Sequence, residues 1–424
     1  MALRAHRRVG GSGLSVTRQA RRLPFLSNPR FARYTVSRLC AGLSWQMLGV
    51  AVGWHVYELT RDPLALGLVG LWEFLPFFCL VLVGGHAADH FNRRHLVIIA
   101  ALVECVCALS LCWFAMRGLS SAWPVYGAIA LFGATRAFWA PAMQAFLVNI
   151  VSREQLASSL ATDSMLRQIT VVGGPALGGV LYLFGAHVVY ATCAALYLAT
   201  ALLTISNRVT LPPSLRSNEP LWQRGQELFH GMRHVFRNRV VLGCLSLDLF
   251  AVLFGGATAL LPIFAADILK VGPAGLGLLR SGPAMGAAVV GLWLAARPLR
   301  NRAGNWMFGG VAVFGVATIV FGLSTNFWIS LAALVIAGAG DMISVYVRTM
   351  LVQLNTPEEI RGRVSAVNSM FIGASNELGG FESGVVAGWI GVVPSVLFGG
   401  VATLVVVMLW RQFFPQLRSL SSLG

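Results

Sequence analysis

The stretch GHAADHFNRR runs from Gly85 to Arg94 and separates two long apolar runs. A polar connection this short, between runs this apolar, reads as a turn joining two membrane helices at one face of the bilayer. Its glycine, the aspartate four places on and the closing arginine pair form a pattern at Gly85, Asp89, Arg93 and Arg94. Asn92 is expected to supply the left-handed backbone that a tight helix-to-helix turn needs, which asparagine tolerates. His90 need not carry charge at neutral pH.

Working outward, the chain of 424 residues is 56% hydrophobic and 11% charged, with a mean hydropathy of +0.72. Soluble domains carry about 25% charged residues. A spanning helix needs about 20 apolar residues, and roughly twelve such runs can be marked. The runs are continuous, which excludes an alternating porin-like barrel. The net charge of +16 comes almost wholly from arginine, with Lys270 the single lysine. The arginines collect in alternate loops, as the positive-inside rule requires, so nucleic-acid binding is not the reading. Seven cysteines lie in apolar runs without C-x-x-C spacing, suggesting neither disulfides nor a metal site.

The predicted spans are 31–57, 64–86, 95–116, 122–148, 156–184 and a sixth ending near 206, then 239–264, 272–297, 305–323, 326–351, 362–388 and 390–413. Five regions follow: a basic cytoplasmic arm over 1–30, a six-helix half over 31–206, a central cytoplasmic loop over 207–238, a second six-helix half over 239–413, and a cytoplasmic tail over 414–424. The acid-free, arginine-rich arm also fits a mitochondrial transit peptide. Within the central loop, Leu221, Leu228, Met232, Val235 and Phe236 repeat at helical spacing, predicting an amphipathic helix in the membrane interface. A shift of 205 residues superposes Gly133-Ala134 on Gly338-Ala339 and sets Arg136 opposite Asp341. Such a repeat supports two halves of common origin.

The loop of residues 85–94 resembles the signature G-x-x-x-D-R-x-G-R-R between the second and third helices of the major facilitator superfamily, with His90 and Asn92 as departures. Within that superfamily the chain looks most like the enterobactin-exporter group, also called transmembrane secretion effectors. The stretch from Arg361 to Gly384, RGRVSAVNSMFIGASNELGGFESG, carries that likeness most specifically. Gly174, Pro175, Gly178 and Gly179 resemble the antiporter motif of drug and proton exchangers, although its two upstream glycines are Ala161 and Thr170 here.

The resemblance implies an all-α fold of twelve helices in two pseudo-symmetric halves, with both termini cytoplasmic in a bacterial inner membrane. It also implies a conformational gate at Asp89, with Arg93 and Arg94 pairing with acids or lipid phosphates, and Arg361 and Arg363 available to pair across the halves.

Charges inside a membrane are costly and mark function by default. Glu73, Glu104, Arg136, Asp163, Arg167, Asp248, Arg280, Asp341, Glu377 and Glu382 all fall within spans, and Asn376 adds a neutral donor and acceptor beside Glu377. Glu73, nearest mid-span, is the first candidate for a carboxyl that alternates between proton and cargo. Asp163 and Arg167, one turn apart, are expected to neutralise each other. Arg136 and Asp341 are expected to meet across the cavity.

The expected activity is secondary transport by alternating access: export of a small amphipathic molecule, such as a siderophore or drug-like compound, in exchange for protons. Movement of lysophospholipid or another lipid, or a non-transporting sensor or scaffold, are the alternatives. No G-x-x-x-x-G-K-[ST], H-E-x-x-H or G-x-S-x-G pattern occurs, which excludes a built-in ATPase and argues against an enzyme. No cofactor or metal is expected, the proton gradient being the driving force. The partners are the small-molecule substrate and membrane lipid, and the chain is expected to work as a monomer.

Overall fold

The computed structural model describes residues 28–118, 121–207, 221–299 and 301–419; the arm over 1–27, the early central loop over 208–220, Arg300 and the last five residues of the tail lie outside them. Among the described residues, six long helices come first: α1 (Pro29–Thr60), α2 (Pro63–His90), α3 (Arg93–Arg117), α4 (Trp123–Ile150), α5 (Arg153–Tyr182) and α6 (Ala186–Ser206). The amphipathic α7 (Leu221–Arg237) follows, then α8 (Arg239–Phe254), α9 (Gly272–Ala296), α10 (Ala303–Leu323), α11 (Phe327–Leu354), α12 (Arg361–Ile390), α13 (Val392–Phe413) and the short α14 (Pro415–Ser419). Asparagine and aspartate side chains set several starts. Asn28, Asp62, Asn92, Asn238 and Asn326 each accept backbone N–H groups from the first turn of the helix they precede, satisfying donors that have no partner inside the helix.

The packing repeats. In the first six helices α2 lies on α4, α3 on α4 and α6, and α1 on α5 and α6; in the second six α9 lies on α11, α10 on α11 and α13, and α8 on α12 and α13. The halves meet along two long seams, α2 on α12 and α5 on α9. Gly133 and Gly338, 205 residues apart, pack alike. A Cβ on Gly133 would stand 2.1 Å from the Glu73 carbonyl oxygen, and one on Gly338 would stand 1.9 Å from that of Pro283. Each glycine therefore lets the fourth helix of its half press on the second.

Among the described residues, eight of the long helices are apolar enough, by length and composition, to cross a membrane, where roughly twelve are expected from the sequence. The others, α1, α4, α5 and α12, are as long but more polar. Their polar residues include Gln46, Arg136, Asn376 and Glu377 of the interior cavity wall and Asp163 of α5, which pairs with α1. Large apolar side chains such as Trp389, Leu292 and Trp328 stay exposed on the flanks, as a lipid-facing belt does.

The seventh span departs from the continuous helix expected over 239–264. α8 stops at Phe254, and the chain proceeds through a 3₁₀ turn (Ala257–Leu260), a single helical turn (Leu261–Ile263) and a π-helical turn (Phe264–Ile268). The Gly255-Gly256 pair permits the break, because a Cβ on Gly256 would fall 2.5 Å from the Gly379 carbonyl oxygen of α12. In α7, Val235 is fully buried and Met232 packs beside it. Phe236, expected on the same apolar stripe, is exposed instead; the side chains of Leu221 and Leu228 lie outside the described set.

Candidate functional site

At the arginine-rich end, the turn that identifies the fold is built from backbone contacts. Asn92 has φ −66° and ψ 110°, so the expected left-handed conformation is not used. Its side chain instead caps α3 by accepting the Arg94 N–H at 3.0 Å, a role for which asparagine is suited and glycine is not. Among the described residues, Arg93 and Arg94 bond to backbone carbonyls rather than to carboxylates. The Arg93 Nε donates to the Ala88 carbonyl at 3.1 Å, and Arg94 donates to the Thr204 carbonyl at 3.1 Å and to that of Ile205. Arg33 adds a bond to the Ser206 carbonyl at 3.0 Å. Two cations thus sit on the negative end of α6, where the helix dipole and unpaired carbonyls favour them. His90 stacks on His86.

Asp89 and Gly85 are half-buried on the last turns of α2, the helix that lies along α12 and touches α7. Among the described residues, the ion-pair partner of Arg361 is Glu358 of its own half, at 3.6 Å. Gly231 of α7 presses on the backbone of Arg363.

The α5 motif is a two-sided contact strip. Gly174 and Gly178 admit Gln46 and Met47 of α1, while Gly179 admits Pro273 and Gly277 of α9. The Pro175 carbonyl oxygen would lie 2.4 Å from a Cβ on Gly277. Thr170, which stands where the motif has a glycine, is accommodated by a glycine on the partner helix: a Cβ on Gly42 would be 2.8 Å from its methyl group. The close approach survives because the small residue has changed helices.

Between the halves lies a cavity of about 260 Å³. Its charged lining is Glu73 from α2, Arg136 from α4, Arg280 from α9 and Glu377 from α12, with Gln46 and Asn376 as neutral polar groups. Each half contributes one acid and one arginine. Arg136 donates to Glu73 at 2.8 Å and stands 3.9 Å from Glu377 across the seam. Its guanidinium also lies over the rings of Trp45 and Phe77, at 4.9 and 5.5 Å, a favourable cation–π arrangement. Arg280 donates to the Gly49 carbonyl at 2.9 Å and so reaches from one half into the other. Arg280 is legible in the sequence as a charge within a span, whereas Trp45 gains its importance from this geometry alone.

Two expected placements are corrected. Arg136 does not meet Asp341; the latter lies in the second half, in the field of Asp248 and Arg348. Asp163 pairs with Arg38 at 3.2 Å and accepts the Tyr34 hydroxyl at 3.0 Å, so its partner is on α1 and not Arg167, whose side chain is exposed. Glu104 is buried away from the cavity and accepts the Thr135 hydroxyl at 3.1 Å.

The family model of the Major Facilitator Superfamily matches residues 34–380. The chain belongs to that superfamily. It is a transporter integral to the membrane and not an enzyme. It is 25% identical over 397 residues to the enterobactin exporter EntS of Citrobacter koseri, covering 92% of this chain and 93% of that protein. The exporter of the same name from Shigella dysenteriae is 24% identical over the same length, with the same coverage. Among solved structures, a bacterial homologue of the lysosomal transporter Spinster, in an inward-facing unoccupied conformation, aligns with a TM-score of 0.73 at 13% identity. That alignment covers 93% of this chain and 98% of the other. The nucleoside transporter NupG aligns with a TM-score of 0.74 at 11% identity, covering 91% and 100%. At such identities these structures establish the shared fold alone.

Proposed function

We propose that the protein exports a small amphipathic molecule, siderophore-like or drug-like, across the bacterial cytoplasmic membrane in exchange for protons. Both termini are cytoplasmic in this reading, which puts the arginine-rich loops inside. The observation that carries it is the Glu73–Arg136–Glu377–Arg280 cluster, drawn from both halves and facing one central cavity. The similarity to enterobactin exporters along nearly the whole chain supports the cargo class.

The chemistry follows from the geometry. Arg136 is held by two carboxylates and two aromatic rings, and a ligand with an anionic or hydrogen-bonding group can replace a carboxylate at the guanidinium. A cavity lined from both halves is where alternating access requires the cargo to bind. At the outer end, Tyr57 of α1 and Arg61, the residue just after that helix, bond to Asp267 of the π-helical turn. Nearby, Gly67 and Gly384 bring α2 and α12 into backbone contact. These contacts part when the cavity opens outward, while Asp89 and Arg363 belong to the gate that closes the inner end.

Uptake into inverted vesicles, with enterobactin as the probe, tests the reading. Uptake is expected to stop when the proton gradient is collapsed. Glu73→Gln is expected to raise the half-saturating concentration, and Asp89→Asn to slow transport at normal membrane expression. Uptake indifferent to the gradient would overturn proton exchange, and uptake equal to that of vesicles lacking the protein would overturn the cargo class.

A further inference from the structure

The second half contains a charged cluster that the cavity does not use. Asp248 of α8 and Arg348 of α11 form an ion pair with side chains only 7% and 4% exposed. Asp341, two turns before Arg348 on α11, lies in the field of both. None of the three lines the cavity. Two further observations make this more than a structural ion pair. Among the described residues Arg348 Nε is buried and has no hydrogen-bond partner, although Nη1 of the same guanidinium pairs with Asp248. Asp341 is also the one member that is half-buried rather than buried.

The charge count differs between the two sites. In the cavity, two acids face two arginines, and the sum is zero when all are ionised. In the second half, two carboxylates share one guanidinium, leaving one negative charge in excess. An uncompensated charge in a water-poor interior is strongly unfavourable, and a proton is the smallest group that cancels it. The remaining surroundings do not supply that cancellation. α8 adds only Cys244 as a further titratable group near the pair, and α9 and α10 press on this part of α11 through Gly291 and Gly310.

We propose that Asp341, with Asp248 and Arg348, binds the transported proton, at a site separate from the cargo cavity. In one state a carboxylate oxygen of Asp341 takes one proton from water and becomes a neutral carboxyl group, and Asp248 alone balances Arg348. In the other the same proton returns to water on the opposite side, and the freed carboxylate takes the unpartnered Arg348 Nε. Asp341 is the exchanging member because it is the least buried of the three. α8 carries Asp248 here, and its broken continuation carries Thr258 and Pro262 of the cavity wall and Asp267 of the outer contact. One element therefore touches the proton site, the cargo site and the outer gate.

This inference rests on the proton-exchange reading above, but its first test needs no cargo. Infrared difference spectra of the purified full-length protein in detergent, taken across a pH titration, follow protonated carboxyl groups directly. Wild type is expected to show a titrating carboxyl band that disappears in Asp341→Asn and returns, shifted, in Asp341→Glu. Persistence of the band in Asp341→Asn, with the variant eluting as a monodisperse species, would overturn the assignment. So would disappearance of the band in Glu73→Gln with Asp341 intact. The second test is uptake of enterobactin into inverted vesicles under an imposed pH gradient, where Asp341→Asn is expected to lose the gradient-driven accumulation. Gradient-driven accumulation that survives in Asp341→Asn would overturn the proposal. A wild-type protein that ignores enterobactin yet keeps the Asp341-dependent band would sink the cargo reading and leave the proton site standing.

Discussion

Arg136 on α4 and Asp341 on α11 are 205 positions apart, at matching places in the two halves, and they carry opposite charges. Gly133 and Gly338, each three residues earlier, make equivalent backbone contacts in the two halves, so the match is structural as well as sequential. In the first half the charge is directed into the cavity, with its pair to Glu73 bridged toward Glu377 of the other half. In the second half the charge remains within its own bundle, beside a fully buried ion pair. Duplication has kept the scaffold and divided the chemistry. One half presents a guanidinium that lines the cavity, and the other keeps a half-buried carboxylate beside a buried ion pair of its own bundle.

The comparison breaks most sharply at Arg348. Arg348→Ala leaves Asp248 buried without its counter-charge, and breaking such a pair costs about 3–5 kcal/mol. A large fall in melting temperature of the purified protein is the expected outcome. The double variant Asp248→Asn with Arg348→Met removes both charges and should recover most of that loss. A melting temperature unchanged in Arg348→Ala would mean that the cluster is neither buried nor electrostatically closed.

A smaller effect tests the shared scaffold. Gly133→Ala and Gly338→Ala each place a methyl group about 2 Å from a carbonyl oxygen of the neighbouring helix. Overpacking of this kind costs about 1–3 kcal/mol, so the two variants should destabilise the protein by similar amounts. Their functions should diverge, because the oxygen crowded by Gly133→Ala belongs to Glu73. Equal effects on stability with unequal effects on cargo affinity would support the division between the halves; strongly unequal stability effects would break the structural match.

The sequence makes the span count, the turn of residues 85–94 and the repeat legible, because each depends on spacing along the chain. What it hides is the rotation of one helix about its axis against its neighbours. Asp163 and Arg167 have the spacing of an intrahelical pair, yet the azimuth of α5 gives Asp163 to Arg38 and leaves Arg167 exposed. Arg136 and Asp341 occupy symmetric positions, but symmetry about the central axis does not bring symmetric positions into contact. Asn92 shows the same limit at a turn: its residue type allows both a left-handed bend and a helix cap, and only the backbone angles choose the cap. The glycine missing at Thr170 was likewise invisible as a compensated change, since Gly42 lies on another helix.

The smallest stability effect belongs to the pair with the largest expected effect on cargo. The Arg136 side chain is 42% exposed within the structure and that of Glu73 is 18% exposed. A partly solvated ion pair contributes under about 1 kcal/mol once screening is counted. Arg136→Gln should therefore leave the melting temperature nearly unchanged while abolishing saturable uptake of enterobactin, because the site loses its central cation. Arg136→Lys should restore only part of the uptake. A lysine keeps the charge but lacks the planar fork that engages a carboxylate while stacking on Trp45 and Phe77. If Arg136→Gln instead lowered stability as far as Arg348→Ala, both clusters would be structural, and the contrast between an exposed cargo site and a closed second site would fail.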